Sequence, residues 1–199
     1  MTILLQINTS MQETASQSSN LADKVSEKLL TKFADMRRIK RDLGKHPVPH
    51  LDHDTFQTFL DPNTAVTSAQ KAGLARSDIL ISELKDAQIL VLGVPMYNLM
   101  IPSTLKSWID HVTRVGQTFA FTEDGPVGLL KDKKAYIVIA QGGSFLGTSD
   151  DLATAYLRSA FSFMGIADLE FIYVQGLAMG DEARKTGLHA ASQAIRALI

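Results

Sequence analysis

The sequence contains no cysteine in 199 residues. Disulfide staples, thiolate nucleophiles and cysteine-ligated zinc or iron–sulfur centres are thereby excluded, so redox chemistry would have to be carried by a bound cofactor. An excess of charge is also missing: 20 Lys and Arg face 21 Asp and Glu, for a formal net charge of -1. Such a chain has no field with which to gather nucleic acid or anionic lipid. Long apolar runs are lacking too. The first, Ile3 to Ile7, is short and has no basic start, unlike a signal peptide or a membrane span. A cytoplasmic protein is expected, and Asn8-Thr9-Ser10 is then a sequon by chance. Finally, there is no G-x-G-x-x-G fingerprint and no P-loop: Gly142-Gly143-Ser144-Phe145-Leu146-Gly147 is followed by Thr148, not lysine. A Rossmann or NTPase reading loses its main support.

What is present is ordinary for a soluble α/β protein, with 45% hydrophobic and 21% charged residues. One domain spanning residues 1–199 is expected, a length that buries roughly 70% of the surface of the unfolded chain. Ile3–Ile7 reads as a buried strand running into a polar loop, and Leu21, Val25, Leu29 and Phe33 recur at helical spacing from a start near Ser18. Met36–Leu43 is a charged edge-strand candidate. His46-Pro47-Val48-Pro49-His50 cannot be regular structure, because each proline fixes its own φ and restricts its predecessor. A helix is expected from Thr67 to Leu84, a doubly covered strand at Ala87–Gly93, and a helix after Pro102 on which Leu105, Trp108, Ile109 and Val112 share one face. The alternation Thr118-Phe119-Ala120-Phe121 and the turn signal Glu123-Asp124-Gly125-Pro126 suggest a hairpin within Gly116–Leu130. A strand at Ala135–Ala140, a helix over Leu152–Gly165, a strand at Leu169–Gln175 and a helix from Asp181 complete the series. Alternating β and α elements call for a mostly parallel sheet with helices on both faces, and ligands bind beyond the carboxyl ends of such strands. The loops after Ile7, Gly93 and Ala140 qualify.

The loop Asn8–Asn20 offers hydroxyls and backbone N–H groups ahead of a helix, which suits a phosphate; equally, Ser16, Ser18 and Ser19 could do no more than cap that helix. Gly142-Gly143 reads either as a place where backbone approaches a flat ligand or as an ordinary turn. Val94-Pro95-Met96-Tyr97-Asn98-Leu99-Met100-Ile101-Pro102-Ser103 puts a proline, an aromatic and two thioethers in a loop, where they can cover an aromatic cofactor, or Met96, Leu99 and Met100 can pack into the core. His46, His50 and His53 read as solvated or interface groups rather than zinc ligands, with no metal expected. His111 and Arg114 read as exposed or dimer-contact groups, on a helix whose Trp108 looks interface-like.

Together, Asn8-Thr9-Ser10 with Ser16-Gln17-Ser18, Gly93–Asn98, Pro102-Ser103-Thr104-Leu105-Lys106-Ser107-Trp108-Ile109-Asp110, Thr118–Leu129 and Gly142-Gly143 resemble the FMN-dependent NADH-azoreductase family, also described as FMN-dependent NADH:quinone oxidoreductases. The resemblance implies a flavodoxin-like three-layer α/β/α fold with five strands in the order 2-1-3-4-5. It implies a homodimer with non-covalent FMN at the interface, working by a ping-pong mechanism with NADH, or NADPH, as donor and quinones or azo compounds as acceptors. Carried over by motif, Ser10, Ser16, Gln17 and Ser18 would bind the phosphate side, and Met96, Tyr97, Asn98 and Leu99 would line the ring. Ala140, Gln141, Gly142 and Gly143 would border its pyrimidine end, and Phe121 and Phe163 would flank the substrate slot. Two departures stand out: relatives often carry serine or threonine and a basic residue where this chain has Ala140-Gln141, and an aromatic where it has Leu99. The first bears on the choice of dinucleotide, the second on the range of acceptors. The competing readings are a one-electron carrier flavodoxin, a related NAD(P)H:quinone or flavin reductase, and a cofactor-free interaction module in which the serine loop only caps and the methionines only pack.

Overall fold

Adjacent apolar residues on a strand point to opposite faces, so pairs such as Leu4-Leu5 and Val91-Leu92 demand cover on both sides of the sheet. A computed structural model describing residues 1–198 shows that cover. The chain runs β1 (Thr2–Asn8), α1 (Gln17–Lys32), β2 (Met36–Asp42), α2 (His53–Leu60), α3 (Ser68–Asp86), β3 (Ile89–Pro95) and α4 (Ser103–Val112). It continues through β4 (Phe119–Thr122), β5 (Gly125–Gly128), β6 (Lys134–Ala140), α5 (Leu152–Met164), β7 (Asp168–Val174) and α6 (Asp181–Ala197).

Five parallel strands form one sheet in the order β2-β1-β3-β6-β7. With the β4–β5 hairpin set apart, this is the expected order 2-1-3-4-5. In this register Leu5 lies beside Leu90, and Leu92 beside Ile137. Leu5, Ile7, Leu90, Leu92, Ile137 and Ile139 meet α3, α4 and α5 on one face. Leu4, Val91, Tyr136 and Val138 meet α1 and α6 on the other. Because every parallel strand ends on the same side, the loops after β1, β3, β6 and β7 gather along one edge.

The edge strand β2 is half exposed, and its cations are paired inward: Arg38 and Lys40 with Asp23 of α1, and Arg41 with Glu83 of α3. The antiparallel β4–β5 hairpin sits against the end of α5. A Cβ on Gly128 would collide with the backbone of Gly165, the left-handed C-cap of α5 at φ 99°. Only glycine at both positions permits that approach, and it brings the Phe119 ring to 4.5 Å from that of Phe163.

Three expectations fail around α4, two of them with one cause. Helix α2 gave no periodic apolar signal, yet it packs on α3 and reaches the end of α4. Its Phe59 meets the edge of the His111 ring at 5.8 Å and lies 4.7 Å under the Arg114 guanidinium. His111 and Arg114 are therefore buried, at 1% and 5% exposure, not surface or contact groups. Arg114 donates to Ser77 Oγ and Asp78 Oδ1 at 2.9 and 2.6 Å, and burial lowers the His111 pKa. Trp108, read as part of an interface-like face, is wholly buried in the core. Among the described residues, no helix is long and apolar enough to cross a membrane.

Candidate functional site

At the end of β1, Thr9 donates both its N–H and its hydroxyl to the carbonyl of Gly93, at 3.2 and 2.9 Å, and so ties the first loop to β3. Gly93 in turn admits α1: a Cβ there would lie 2.9 Å from the Ser18 carbonyl oxygen. The N-terminus of α1 is thereby pressed against the sheet's carboxyl edge. Ser16 caps it, accepting from the Ser19 N–H at 3.1 Å, with its hydroxyl also 3.2 Å from that of Ser18 and 3.0 Å from that of Ser19. The Asn20 N–H goes to the Ser16 carbonyl. That leaves the N–H groups of Gln17 and Ser18 with no acceptor among the described residues. Free amides at the positive end of a helix, beside buried hydroxyls, form a seat for an anion.

The loop after β3 closes on itself. Tyr97 and Met100 exchange backbone hydrogen bonds of 2.9 and 3.0 Å around Asn98 and Leu99, which have φ values of 50° and 65°. This is a tight turn with two consecutive left-handed residues; asparagine tolerates that conformation, whereas leucine adopts it at a cost. The Tyr97 hydroxyl accepts from Met11 N–H at 3.2 Å and lies 3.3 Å from Ser10 Oγ, joining this loop to the first.

The start of the loop after β6 is tied by main chain to the segment after β7. The N–H groups of Leu177, Ala178 and Gly176 donate to the carbonyls of Gln141, Gly142 and Gly143 at 3.2, 2.9 and 3.0 Å. The carbonyls are consumed, while the amides of Gly142 and Gly143 have no acceptor among the described residues. A Cβ on Gly142 would meet only Ala178 Cβ, at an ordinary 3.4 Å. Packing of the protein on itself therefore does not require glycine at this position.

Between these loops lies a cavity of about 660 Å³. Of the residues expected from sequence, Ser10, Ser16, Gln17, Ser18, Met96, Tyr97, Ala140 and Gly142 line it. Asn98 and Leu99 stand at the turn tip outside it, and Gly143 lies behind Gly142. Gln141 is buried with its side-chain Nε2 3.4 Å from Asp151 Oδ1. Phe121 and Phe163 also lie outside the lining, on the hairpin and α5, at 71% and 38% exposure. Pro95, read from sequence as able to cover a flat cofactor, also lines the cavity, as do Gln12 and Ala15 of the serine loop; sequence reasoning missed Leu177, Ala178 and Arg184 from the segment after β7. The signal for the latter group was the strand order, since the loop after the strand next to β6 must border the same cleft. His50 Nδ1 meets Ser107 Oγ at 3.0 Å and His53 opens α2; among the described residues no group of three or more acidic, histidine or cysteine side chains is gathered as a metal site would require.

A protein-family model described as flavodoxin-like fold matches residues 1–199. The chain is 41% identical over 197 residues to FMN-dependent NADH:quinone oxidoreductase 6 of Burkholderia lata, covering 99% of this chain and all of the relative. It is 42% identical over 196 residues to an FMN-dependent NADH:quinone oxidoreductase of Dechloromonas aromatica, covering 98% of each. The chain belongs to the FMN-dependent NADH:quinone oxidoreductase family. Solved structures agree with this flavodoxin-like oxidoreductase fold. An azoreductase from Bacillus anthracis superposes over the full length of both chains with a TM-score of 0.86 at 25% identity. In fold alone, an FMN-dependent NADH-azoreductase from the same species, solved in complex with FMN, matches with a TM-score of 0.87 at 24% identity over 98% of each chain.

Proposed function

We propose that the chain acts as a single domain, residues 1–199, which holds FMN without a covalent bond, takes hydride from NADH, and reduces quinones and aromatic azo compounds. One observation carries this reading. A single cavity joins an anion seat, at Ser16, Gln17 and Ser18, to a slot between Pro95-Met96-Tyr97 and Ala140 with Gly142. FMN has both matching parts, a phosphate and a planar ring. The names of the relatives supply the donor and the acceptor class.

The residues present fit that cofactor. The unpaired amides of Gln17 and Ser18 and the hydroxyls of Ser10, Ser16 and Ser18 would hold the phosphate. Met96 and Tyr97 would cover the ring, with Asn98 and Leu99 beside them, while Ala140, Gln141, Gly142 and Gly143 would border its pyrimidine end. When bound, FMN supplies the reversible two-electron hydride chemistry that no side chain of this chain possesses. The protein would bind, orient and shield; the amide of Gly142, with that of Gly143 next to it, would be a fixed donor available to charge on the ring's pyrimidine end. One slot serves both reactants, so donor and acceptor take turns, which is a ping-pong order.

A second copy completes the arrangement. Phe121 is 71% exposed, in edge contact with Phe119 at 5.5 Å, and Phe163 continues the same aromatic patch. Exposed aromatic rings in contact fit a homodimer in which Phe121 and Phe163 flank the substrate slot. Dependence on NADH and the absence of cysteine fit a cytoplasmic location. Anaerobic stopped-flow on FMN-loaded protein tests the reading: NADH, compared with NADPH, bleaches the flavin absorbance, and a quinone or an azo dye added afterwards restores it. Failure of either half-reaction refutes the ping-pong proposal, and protein that retains no FMN refutes the function.

A further inference from the structure

Among the residues lining the main cavity, Arg184 is the one with a formal charge. It is half buried, and no carboxylate lies within ion-pair distance of it among the described residues; its nearest polar contact is the Leu177 carbonyl at 3.5 Å. The acidic residues of the same helical turn do not neutralise it: Asp181 is exposed and Glu182 pairs with Lys185. Arg184 is the fourth residue of α6, in the first turn, where the helix dipole disfavours a cation. Its placement therefore gains nothing from its own helix.

Its position relative to the anion seat follows from the packing of two helices. Helices α1 and α6 share one face of the sheet, and Lys28 near the end of α1 reaches the Ile195 carbonyl near the end of α6 at 3.1 Å. The two helices thus run side by side in the same direction, and both begin at the sheet's carboxyl edge. The first turn of α6 is level with Ser16, Gln17 and Ser18, and the two contribute to one cavity. The seat at α1 offers only neutral donors. A guanidinium beside it is the complement of a doubly charged phosphate monoester.

Resting on the FMN reading above, we infer that Arg184 is the charge partner of the cofactor's phosphate and the residue by which the site selects FMN over riboflavin. The test is a fluorescence-quenching titration of apo-protein with FMN and with riboflavin, for wild type, Arg184→Gln and Arg184→Lys. In Arg184→Gln the FMN Kd rises roughly 10- to 100-fold while the riboflavin Kd moves by less than about twofold. Arg184→Lys retains most of the preference, and salt weakens FMN binding in wild type more than in Arg184→Gln. An unchanged apo melting temperature shows that the variants fold. Equal weakening of both flavins overturns the inference, as does an unchanged FMN Kd; an unchanged FMN Kd with a raised KM for NADH assigns the charge to the dinucleotide's pyrophosphate instead. Wild-type protein that binds neither flavin refutes the FMN reading itself, an outcome distinct from these.

Discussion

Replacing Gly142 with alanine separates what the fold needs from what a ligand needs. The added Cβ would lie 3.4 Å from Ala178 Cβ, a normal contact, and Gly142 is not among the glycines with positive φ. The folded chain accepts the methyl group, while the unfolded chain loses freedom, so the apo-protein gains about 0.4–1 kcal/mol. For a chain of this size that raises the melting temperature by roughly 1–4 °C. The same methyl group enters the cavity wall, and overpacking against a bound ring costs about 1–3 kcal/mol, a rise in FMN Kd of roughly 5- to 150-fold. Stability and cofactor affinity should move in opposite directions, measured by thermal unfolding of apo-protein and by flavin fluorescence titration. Gly93→Ala is the control: its Cβ would come within 2.9 Å of the Ser18 carbonyl oxygen, so apo stability falls. A lower apo melting temperature in Gly142→Ala with unaltered FMN affinity would show that this glycine serves the protein's own packing, and the argument for the slot would collapse.

Ser16→Ala removes the cap of α1 and one hydroxyl of the anion seat, so apo stability drops by about 1 kcal/mol in urea unfolding and FMN binding weakens more than riboflavin binding. At Leu99 the usual order of alanine over glycine should invert. Glycine avoids a left-handed cost of about 1–2 kcal/mol and pays back only about 0.5–1 kcal/mol in chain entropy, so Leu99→Gly melts above Leu99→Ala; the opposite order would deny the turn. Burial lowers the His111 pKa from its ordinary 6.5, so the unfolded chain binds that proton more readily than the folded one. The contribution is intact above about pH 6.5 and is lost as pH falls towards the lowered folded value, with a slope of up to about 1.4 kcal/mol per pH unit. His111→Asn should flatten that acid limb in denaturation measured across pH, and an identical slope in the variant would assign it to other groups.

The alternation of elements was legible because β1, β3 and β6 are apolar on both faces and their helices carry plain periodicity. The hairpin was legible from Glu123-Asp124-Gly125-Pro126. Helix α2 was not, because it is eight residues long and buries Thr55 and Thr58 beside Phe59 while leaving Phe56 and Leu60 in water. Its start signal was present in Asp52, which accepts from Thr55 N–H at 2.7 Å. Missing that helix misplaced His111 and Arg114, since a polar residue on an amphipathic helix reads as exposed until something is known to cover it. At the site, the serine loop was open to two readings that the structure does not set against each other: Ser16 caps α1 and lines the cavity at once. Arg184 was invisible for a different reason. It belongs to a helix whose pattern is explained by packing alone, and only the strand order brings its first turn to the cleft.

The clasp between residues 141–143 and 176–178 is made of peptide groups, so no change of side chain short of proline at a donor removes its hydrogen bonds. Divergence at Ala140, which lines the cavity, can therefore reshape it without dismantling the wall. In such a scaffold, side chains along the cavity are free to differ while the backbone that frames it stays in place.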